Sequence, residues 1–369
     1  MTNFVETIGG RSPLTIAAPH SAILQELLND PSKLPPGIDG RMVVSLDELP
    51  DSVRENLMLG QRGLVRDTII GAADVAAPDV ADFFHQDRAT RIWTRFPRVM
   101  LDVNRELFDN PEDGLKEIDG NSVEGHGPPA HANGVIWSRT ADRSRTRHIG
   151  LPLGTFLGLF TNCKPMIKRP YTQAEFDELC AVARDPYFAA IEAAQESNKA
   201  RYGHSITLGL HTFPAATAGY IMRGPNKGAY QIGPMATRRA PFELKKIPSK
   251  AIPDAVVMCQ AGWDGKGERS CHTRITDIIL KAFKNAGCIA HVGETIFGSG
   301  GVPKILGKPG KGHHVVDIEL FGTGRGKDAL EPMRTKGGLE INGAQVDKLR
   351  PIYNRIIREL ATLETRDLR

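Results

Sequence analysis

The fold class is decided by two stretches of sequence, Leu14-Thr-Ile-Ala-Ala-Pro-His20 and Ile206-Thr-Leu-Gly-Leu-His211. Each is a short, almost wholly apolar run that stops at a histidine. Runs of this length and composition are typical of strands in a sheet that is covered on both faces. We therefore predict two buried strands with a histidine at the carboxyl end of each.

Further apolar runs extend this predicted sheet. Val99-Met-Leu-Asp-Val103 leads into Asn104 and Arg105 in the same way that the first two runs lead into histidines. Three more runs have the character of strands and cover residues 255–259, 288–292 and 315–320.

Helical patterns separate several of these runs. Thr172 and Glu175 have the spacing of a capping box, and helical periodicity follows Pro186 as far as Gly203. Two later apolar stripes cover residues 275–282 and 346–360, and we expect Pro351 to break or kink the second. Alternating strands and helices predict an α/β fold: a doubly wound, mixed but mostly parallel sheet flanked by helices.

The chain of 369 residues is long enough for one elaborated domain or for two. Residues 105–170 have little periodicity and many Gly, Pro and Arg residues. We predict one α/β hydrolase-type domain over residues 1–369, with an irregular insertion at about 105–170. The net charge of +4 is too small to indicate a nucleic-acid partner.

Cysteine usage and hydropathy indicate a cellular compartment. The five cysteines form no Cys-x-x-Cys pair, so neither a disulfide framework nor a cysteine zinc knuckle is indicated. The first residues have no signal-peptide pattern, and no run of eighteen apolar residues occurs. We therefore expect a cytoplasmic protein with no membrane span.

The polar residues at the strand ends are the candidate site. Ligands of open α/β sheets bind at the carboxyl ends of the strands, so we expect His20, Asn104, Arg105 and His211 to converge. Two histidines joined by a carboxylate, with a fourth position left for water, form a catalytic zinc site. Such a site lowers the pKa of its bound water to about 7.

Five short motifs also occur in the order in which they occur in the N-formylglutamate amidohydrolase family. They are Pro19-His-Ser21, Leu101-Asp-Val-Asn-Arg105, Gly209-Leu-His-Thr212, Ile296-Phe-Gly-Ser-Gly-Gly301 and Val316-Asp-Ile-Glu-Leu320. From about residue 14 to residue 321 the chain resembles a divergent member of that family. The resemblance implies a zinc-peptidase/phosphorylase-like fold, similar to that of the zinc carboxypeptidases, with zinc at the strand ends.

The resemblance also implies roles for single residues. His20 and His211 match the metal histidines of the family, and we expect Asp67 to be the carboxylate ligand, with Glu26 and Asp74 as alternatives. A helix-capping role for Asp67 stays open. Glu319 matches the general base of related zinc hydrolases, and its alternative is an outward-facing salt bridge.

Arg105 and Asn104 resemble the substrate-carboxylate clamp of the zinc carboxypeptidases. The planar guanidinium of Arg105 can hold a carboxylate through two parallel hydrogen bonds, and Asn104 can add a donor. The alternative for Arg105 is a structural ion pair with Asp102 or Glu106.

These roles predict a zinc-dependent amidohydrolase that cleaves an N-formyl or N-acyl bond in a small substrate with a carboxylate. The chain departs from the family where Asn-Arg usually follows Leu320, because Phe321 and Gly322 stand there, and also at Leu210 and Ala22. A zinc-dependent hydrolase of peptides or modified amino acids is therefore one alternative, and a non-catalytic binding module is another. The basic run at residues 139–148 is an exposed loop or a steering patch for an anionic substrate.

Overall fold

The computed structural model describes most of the sheet and of the helices around it. The described residues are 3–28, 34–58, 73–104, 167–169, 171–213, 220–223, 230–232, 244–246, 254–259, 268–292, 301–321, 333–335 and 338–368. Asp67, Arg105, the basic run and nearly all of the predicted insertion lie outside these ranges. The prediction of one domain over residues 1–369 stays a prediction.

A seven-stranded mixed sheet forms the centre of the fold. In chain order its strands are β1 (Val5–Ile8), β2 (Leu14–Ala18), β3 (Thr90–Thr94), β4 (Ser205–Phe213), β5 (Ala255–Met258), β6 (Ala290–Val292) and β7 (His313–Phe321). Their spatial order is β1-β3-β2-β4-β7-β5-β6. The central strands β3, β2, β4 and β7 are parallel, whereas β1 and β5 pair antiparallel with their neighbours β3 and β7. The predicted mixed, mostly parallel sheet is confirmed.

Helices flank this sheet. They are α1 (Asp51–Asn56), α2 (Ala76–Val80), α3 (Gln173–Leu179), α4 (Asp185–Tyr202), α5 (Thr273–Asn285), α6 (Gly301–Leu306) and α7 (Gly343–Ala361). Helix α4 covers one face, where Gln195 donates to Thr207 Oγ1 and Asn198 donates to Thr15 Oγ1. All five residues of β2 are buried, so its other face is covered as well. The predicted capping box of Thr172 and Glu175 begins α3.

Short strand pairs lie outside the main sheet. Ile23–Leu24 pairs with Val43–Val44, and Met333–Thr335 pairs with Gly338–Glu340. Tyr220–Arg223, Tyr230–Ile232 and Leu244–Lys246 form a three-stranded sheet. No helix in the described part of the chain is long and apolar enough to cross a membrane.

The predicted strand at residues 99–103 is wrong. The strand of this region is β3, and residues 98–104 form turns around a short extended piece instead. Pro97 has no N–H for a strand ladder, and its carbonyl accepts from the N–H of Met100 at 3.0 Å, which turns the chain. The segment is nevertheless buried, with Leu101 and Val103 fully enclosed. A buried turn and a buried strand have the same apolar composition, so composition alone could not separate them.

Of the two effects expected of Pro351, the break is wrong, because α7 runs from Gly343 to Ala361 with Pro351 inside it, and the kink stays a prediction. A proline inside a helix costs about 3 kcal/mol or more. The buried stripe of this helix comprises Val346, Leu349, Ile352, Tyr353, Ile356, Ile357 and Leu360. Since each such side chain stabilises the fold by roughly 1.5–3 kcal/mol on burial, the stripe outweighs the lost hydrogen bond.

Four histidines lie together near the amino end of β7, away from the strand ends that form the candidate site. His314 is 2% exposed, and its Nδ1 accepts from the N–H of His272 at 3.3 Å. Burial, together with the neighbouring His204, His272 and His313, lowers the pKa of His314 to about 4. Burial also lowers the pKa of His204 and of His313.

We predict that these histidines make folding sensitive to mild acid. A histidine in the unfolded chain has a pKa of about 6.5, whereas that of folded His314 is about 4. Between these two pH values, His314 is protonated in the unfolded chain and neutral in the folded protein. Stability is therefore full above pH 6.5 and falls as the pH drops, by about 1 kcal/mol from His314 between pH 7 and pH 5.5. His314→Asn should flatten this slope in urea unfolding at the two pH values. The exposed His291→Asn is the control, and equal slopes in both variants would contradict the prediction.

Candidate metal centre and active site

The local fold places two histidines and one aspartate together. His20 follows β2, and His211 lies near the carboxyl end of the adjacent parallel strand β4. Asp74 comes just before α2, and its N–H donates to the carbonyl of His20 at 2.8 Å. All three side chains are buried, at 2–3% exposed.

Three potential ligand atoms form a nearly equilateral triangle. Nδ1 of His20 lies 3.1 Å from Oδ2 of Asp74 and 3.2 Å from Nδ1 of His211, and the His211 nitrogen lies 3.2 Å from the same oxygen. In the described part of the chain this is the one group of at least three His, Cys, Asp or Glu residues whose ligand atoms converge in this way. The convergence of His20 and His211 is the arrangement that the sequence predicted.

This triangle fits a small metal ion. Ligands that bind zinc tetrahedrally at about 2.0–2.2 Å lie roughly 3.3–3.6 Å apart, close to the separations of the three donor atoms. Two imidazole nitrogens and one carboxylate oxygen are also a common ligand set of catalytic zinc. Three protein ligands would leave the fourth position open.

The far nitrogen of each histidine faces another carboxylate. Nε2 of His20 lies 2.7 Å from Oδ1 of Asp102, and Nε2 of His211 lies 3.6 Å from Oδ2 of Asp317. A carboxylate at this place favours a proton on Nε2 and leaves the Nδ1 lone pair free for a metal. Both histidines are therefore oriented for coordination through Nδ1.

The charges around the triangle favour a bound cation. Four carboxylates lie in this region, those of Asp74, Asp102, Asp317 and Glu319. The Nε atom of Arg98 donates to Asp102 at 3.1 Å, and its Nη1 lies 3.8 Å from Asp74, so one fixed cation faces this acidic group. The acidic partners raise the pKa of Arg98 despite its burial. A divalent ion would reduce the remaining negative charge.

The pKa values of Asp74 and His211 are both shifted, in part by the contact between the two side chains. Burial opposes the ionised form of Asp74, but hydrogen bonds to His20 and His211 outweigh it and lower the pKa of this carboxyl. Burial opposes the charged form of His211, but Asp317 and Asp74 raise the pKa of this imidazole well above its usual value. The metal-free site therefore attracts a proton, which a metal would displace on binding.

Glu319 lies on β7 directly opposite His211 of β4. Paired residues of adjacent strands point to the same face of a sheet. The Glu319 carboxylate therefore lies on the same side of the sheet as the His211 ring. Burial raises the pKa of Glu319 to about 7; His211 and Arg98 lower it, and Asp74 and Asp317 raise it. A carboxylate with a pKa near neutrality can both accept and release a proton.

Asn104 is buried and uses both ends of its amide inside the protein. Its Oδ1 accepts from the N–H of Val302 at 3.1 Å, and its Nδ2 donates to Asp317 at 3.4 Å and lies 3.3 Å from Nε2 of His211. Asn104 thus joins the start of α6 to the metal centre. A contact of Asn104 with substrate stays a prediction.

The three carboxylates considered for the metal have different outcomes. Asp67, the preferred one, lies outside the described residues, as does Arg105. Glu26 is exposed and accepts hydrogen bonds from Ser45 Oγ and the N–H of Leu46, so it does not join the two histidines. Asp74, one of the alternatives, is the carboxylate that lies with them.

Sequence reasoning missed Arg98 and Asp317 and treated Asp102 only as a possible partner of Arg105. A signal for the two aspartates was present, because each interrupts an otherwise apolar run. A carboxylate that is buried in such a run needs a partner or a task. Nothing comparable marked Arg98, which follows Pro97 in a turn.

Comparison with one solved structure agrees with this fold. The chain is similar to a crystal structure of N-formylglutamate amidohydrolase from Ralstonia eutropha JMP134, with a TM-score of 0.55 at 17% identity over 97% of this chain and 98% of that one. It is also similar to a gene product, Atu2144, from Agrobacterium tumefaciens, with a TM-score of 0.47 at 12% identity over 98% and 96% of the two chains. No curated protein matches it significantly.

A family match covers the larger part of the sequence. Residues 45–321 match the family described as N-formylglutamate amidohydrolase. This span contains Asp74, Asn104, His211 and Glu319. His20 precedes it and lies beside His211 because β2 pairs with β4. The match extends over well over half of the chain, and the protein therefore belongs to the N-formylglutamate amidohydrolase family.

Proposed function

We propose that the protein is a zinc-dependent amidohydrolase that cleaves an N-formyl or N-acyl bond of a small, carboxylate-bearing substrate such as an N-acylated amino acid. One observation supports this most strongly: two buried Nδ1 atoms and one buried carboxylate oxygen lie within 3.1–3.2 Å of one another. Membership of an amidohydrolase family supports hydrolysis of an amide.

The donor set supports zinc, or another transition metal that binds imidazole, over magnesium and calcium. Imidazole nitrogen is an unusual ligand for magnesium or calcium, which prefer oxygen. His20, His211 and Asp74 would hold the ion. When bound, zinc acts as a Lewis acid toward an amide oxygen and lowers the pKa of water to about 7.

The protein's own groups would then move the proton. Glu319 accepts a proton from the attacking water and donates it to the departing amine, as its pKa near 7 allows. Asp102 and Arg98 hold His20 in place during these steps through the contacts of 2.7 Å and 3.1 Å that link the three side chains.

Arg105, with Asn104, is proposed to bind the substrate carboxylate. Of the departures from the family pattern, Leu210 and Ala22 are fully buried. Phe321, the last residue of β7, and Gly322 after it in the sequence stand where the family usually has Asn-Arg. This replacement favours a second candidate, a zinc-dependent hydrolase of peptides or modified amino acids.

We further propose that the protein works in the cytoplasm. The four cysteines in the described part of the chain, Cys180, Cys259, Cys271 and Cys288, are all free and buried. Free thiols agree with a reducing compartment.

The ligand set can be tested by metal content. We expect wild type to bind one zinc ion and Asp74→Ala to lose at least 100-fold in zinc affinity, because the triangle loses its one oxygen donor. Asp67→Ala is the matched control and should retain stoichiometric metal in elemental analysis. Loss of metal in Asp67→Ala with retention in Asp74→Ala would transfer the ligand role to Asp67.

The role of Glu319 can be separated from metal binding. Chelation should abolish hydrolysis by wild type, and added zinc should restore it. Glu319→Gln should retain zinc but lower kcat by about 10²- to 10⁴-fold, since the amide cannot accept the proton. Wild-type turnover by Glu319→Gln, or hydrolysis after exhaustive chelation, contradicts this mechanism.

The substrate class can be tested with a panel of N-formylglutamate, other N-acylated amino acids and short peptides. We expect acylated amino acids to be hydrolysed, and their carboxamide analogues to lose about 10- to 100-fold in kcat/KM. Arg105→Ala should raise KM to a similar extent for the acids alone, whereas Arg139→Ala in the basic run should not. Preferential cleavage of peptides would favour the second candidate, and absence of turnover despite bound zinc would favour a binding module.

A further inference from the structure

Gly209 leaves a small space beside the metal centre. It lies on β4 two residues before His211 and directly opposite Asp317 of β7. A Cβ atom on Gly209 would overlap Asp317 Oδ1 and lie 2.8 Å from its Cγ and 3.4 Å from Nε2 of His211. The absence of a side chain at this position is therefore what admits the Asp317 carboxylate to the sheet surface.

The carboxylate in this space faces the side of His211 that points away from the triangle. Oδ2 of Asp317 lies 3.6 Å from Nε2 of His211 and accepts from Nδ2 of Asn104 at 3.4 Å. The Asn104 amide is fixed in this orientation, because Val302 donates to its oxygen. The NH₂ group of Asn104 and the Nε2 atom of His211 thus face one buried carboxylate.

The two neighbours of Nε2 favour opposite tautomers of His211. The NH₂ group of Asn104, at 3.3 Å, by itself favours a lone pair on Nε2 and therefore a proton on Nδ1. A proton on Nδ1 occupies the lone pair that would bind the metal. The negative charge of Asp317 favours the proton on Nε2 and frees Nδ1.

We propose that Asp317 is a positioning residue that selects the metal-binding tautomer of His211, and that Gly209 is required because it admits this carboxylate. At 3.6 Å the contact exceeds a normal hydrogen bond, so Asp317 acts mainly through its charge. The inference rests on the metal centre of the proposed function and assigns to Gly209 and Asp317 a part in forming it.

Zinc affinity measures this role without recourse to catalysis. We expect Asp317→Ala and Asp317→Asn to raise the zinc Kd by about 10- to 100-fold in competition with a chromogenic chelator. Gly209→Ala should raise it as well, because the new methyl group displaces the carboxylate. Gly9→Ala, whose Cβ meets nothing within 4 Å, and Asp254→Asn, whose carboxylate accepts from Ile289, are the matched controls and should bind zinc as wild type does.

A double variant tests whether Gly209 acts through Asp317. In Asp317→Ala/Gly209→Ala the methyl group enters the space that the carboxylate has left. We therefore expect the zinc Kd of the double variant to equal that of Asp317→Ala alone. A double variant that binds zinc much more weakly than Asp317→Ala would show that Gly209 is needed for the strand itself, which overturns its proposed part.

The tautomer itself is visible in ¹⁵N-histidine NMR spectra of the metal-free protein. The spectra are recorded at a pH high enough to remove the charge of His211, whose pKa lies well above its usual value. Wild type should then carry the single ring proton of His211 on Nε2, and Asp317→Asn should shift it toward Nδ1. An unchanged tautomer, or unchanged zinc affinity in folded Asp317→Asn, overturns the inference. Asp317→Asn retains the side-chain volume and replaces Asp317→Ala in the test if the alanine variant does not fold. Failure of wild type to bind zinc would refute the proposed function, while the NMR comparison would still decide the role of Asp317.

Discussion

The site depends on three lone-pair donors that are held within 3.1–3.2 Å of one another in a buried place. Two imidazole lone pairs and a carboxylate at that distance repel one another unless a proton or a metal ion lies between them. The arrangement persists because each donor is fixed by the fold: His211 lies in the sheet, His20 follows an adjacent parallel strand, and Asp74 is hydrogen-bonded to the carbonyl of His20. The chain thus builds a position that requires positive charge.

The same burial gives two carboxylates of this region different chemistry. Asp74 has hydrogen bonds to both histidines, which outweigh its burial and lower its pKa, so it stays an anion and suits a ligand. Burial raises the pKa of Glu319 to about 7, with Asp74 and Asp317 adding to the rise and His211 and Arg98 opposing it, which suits a group that exchanges protons. Environments that separate the pKa values of neighbouring carboxyl groups distinguish their roles. Here the separation follows from the hydrogen bonds of Asp74 to both histidines.

Much of this could be predicted from the sequence, and the failures have physical causes. The apolar run before each histidine predicted β2 and β4 and the meeting of His20 with His211, because parallel strands end at one edge of a sheet. Asp74 could be considered only as an alternative. The backbone hydrogen bond that brings it to His20 joins residues 54 positions apart, and no short sequence motif contains both residues. The strand predicted around Leu101 was wrong because an apolar composition indicates burial but does not specify an extended backbone.

The three donor atoms and the departures from the family pattern differ in their place in the fold. The donors and their partners lie on buried strands and turns, where a change disturbs neighbours on every side; Gly209 illustrates this, since even one added carbon meets Asp317. Leu210, a fully buried departure from the family pattern, lies on β4 without facing the centre, because alternate residues of a strand face opposite sides. Phe321, another departure, is the last residue of β7. Ends of strands and the loops beyond them tolerate change better than the buried scaffold does, so divergence at Phe321 leaves the three donor atoms in place.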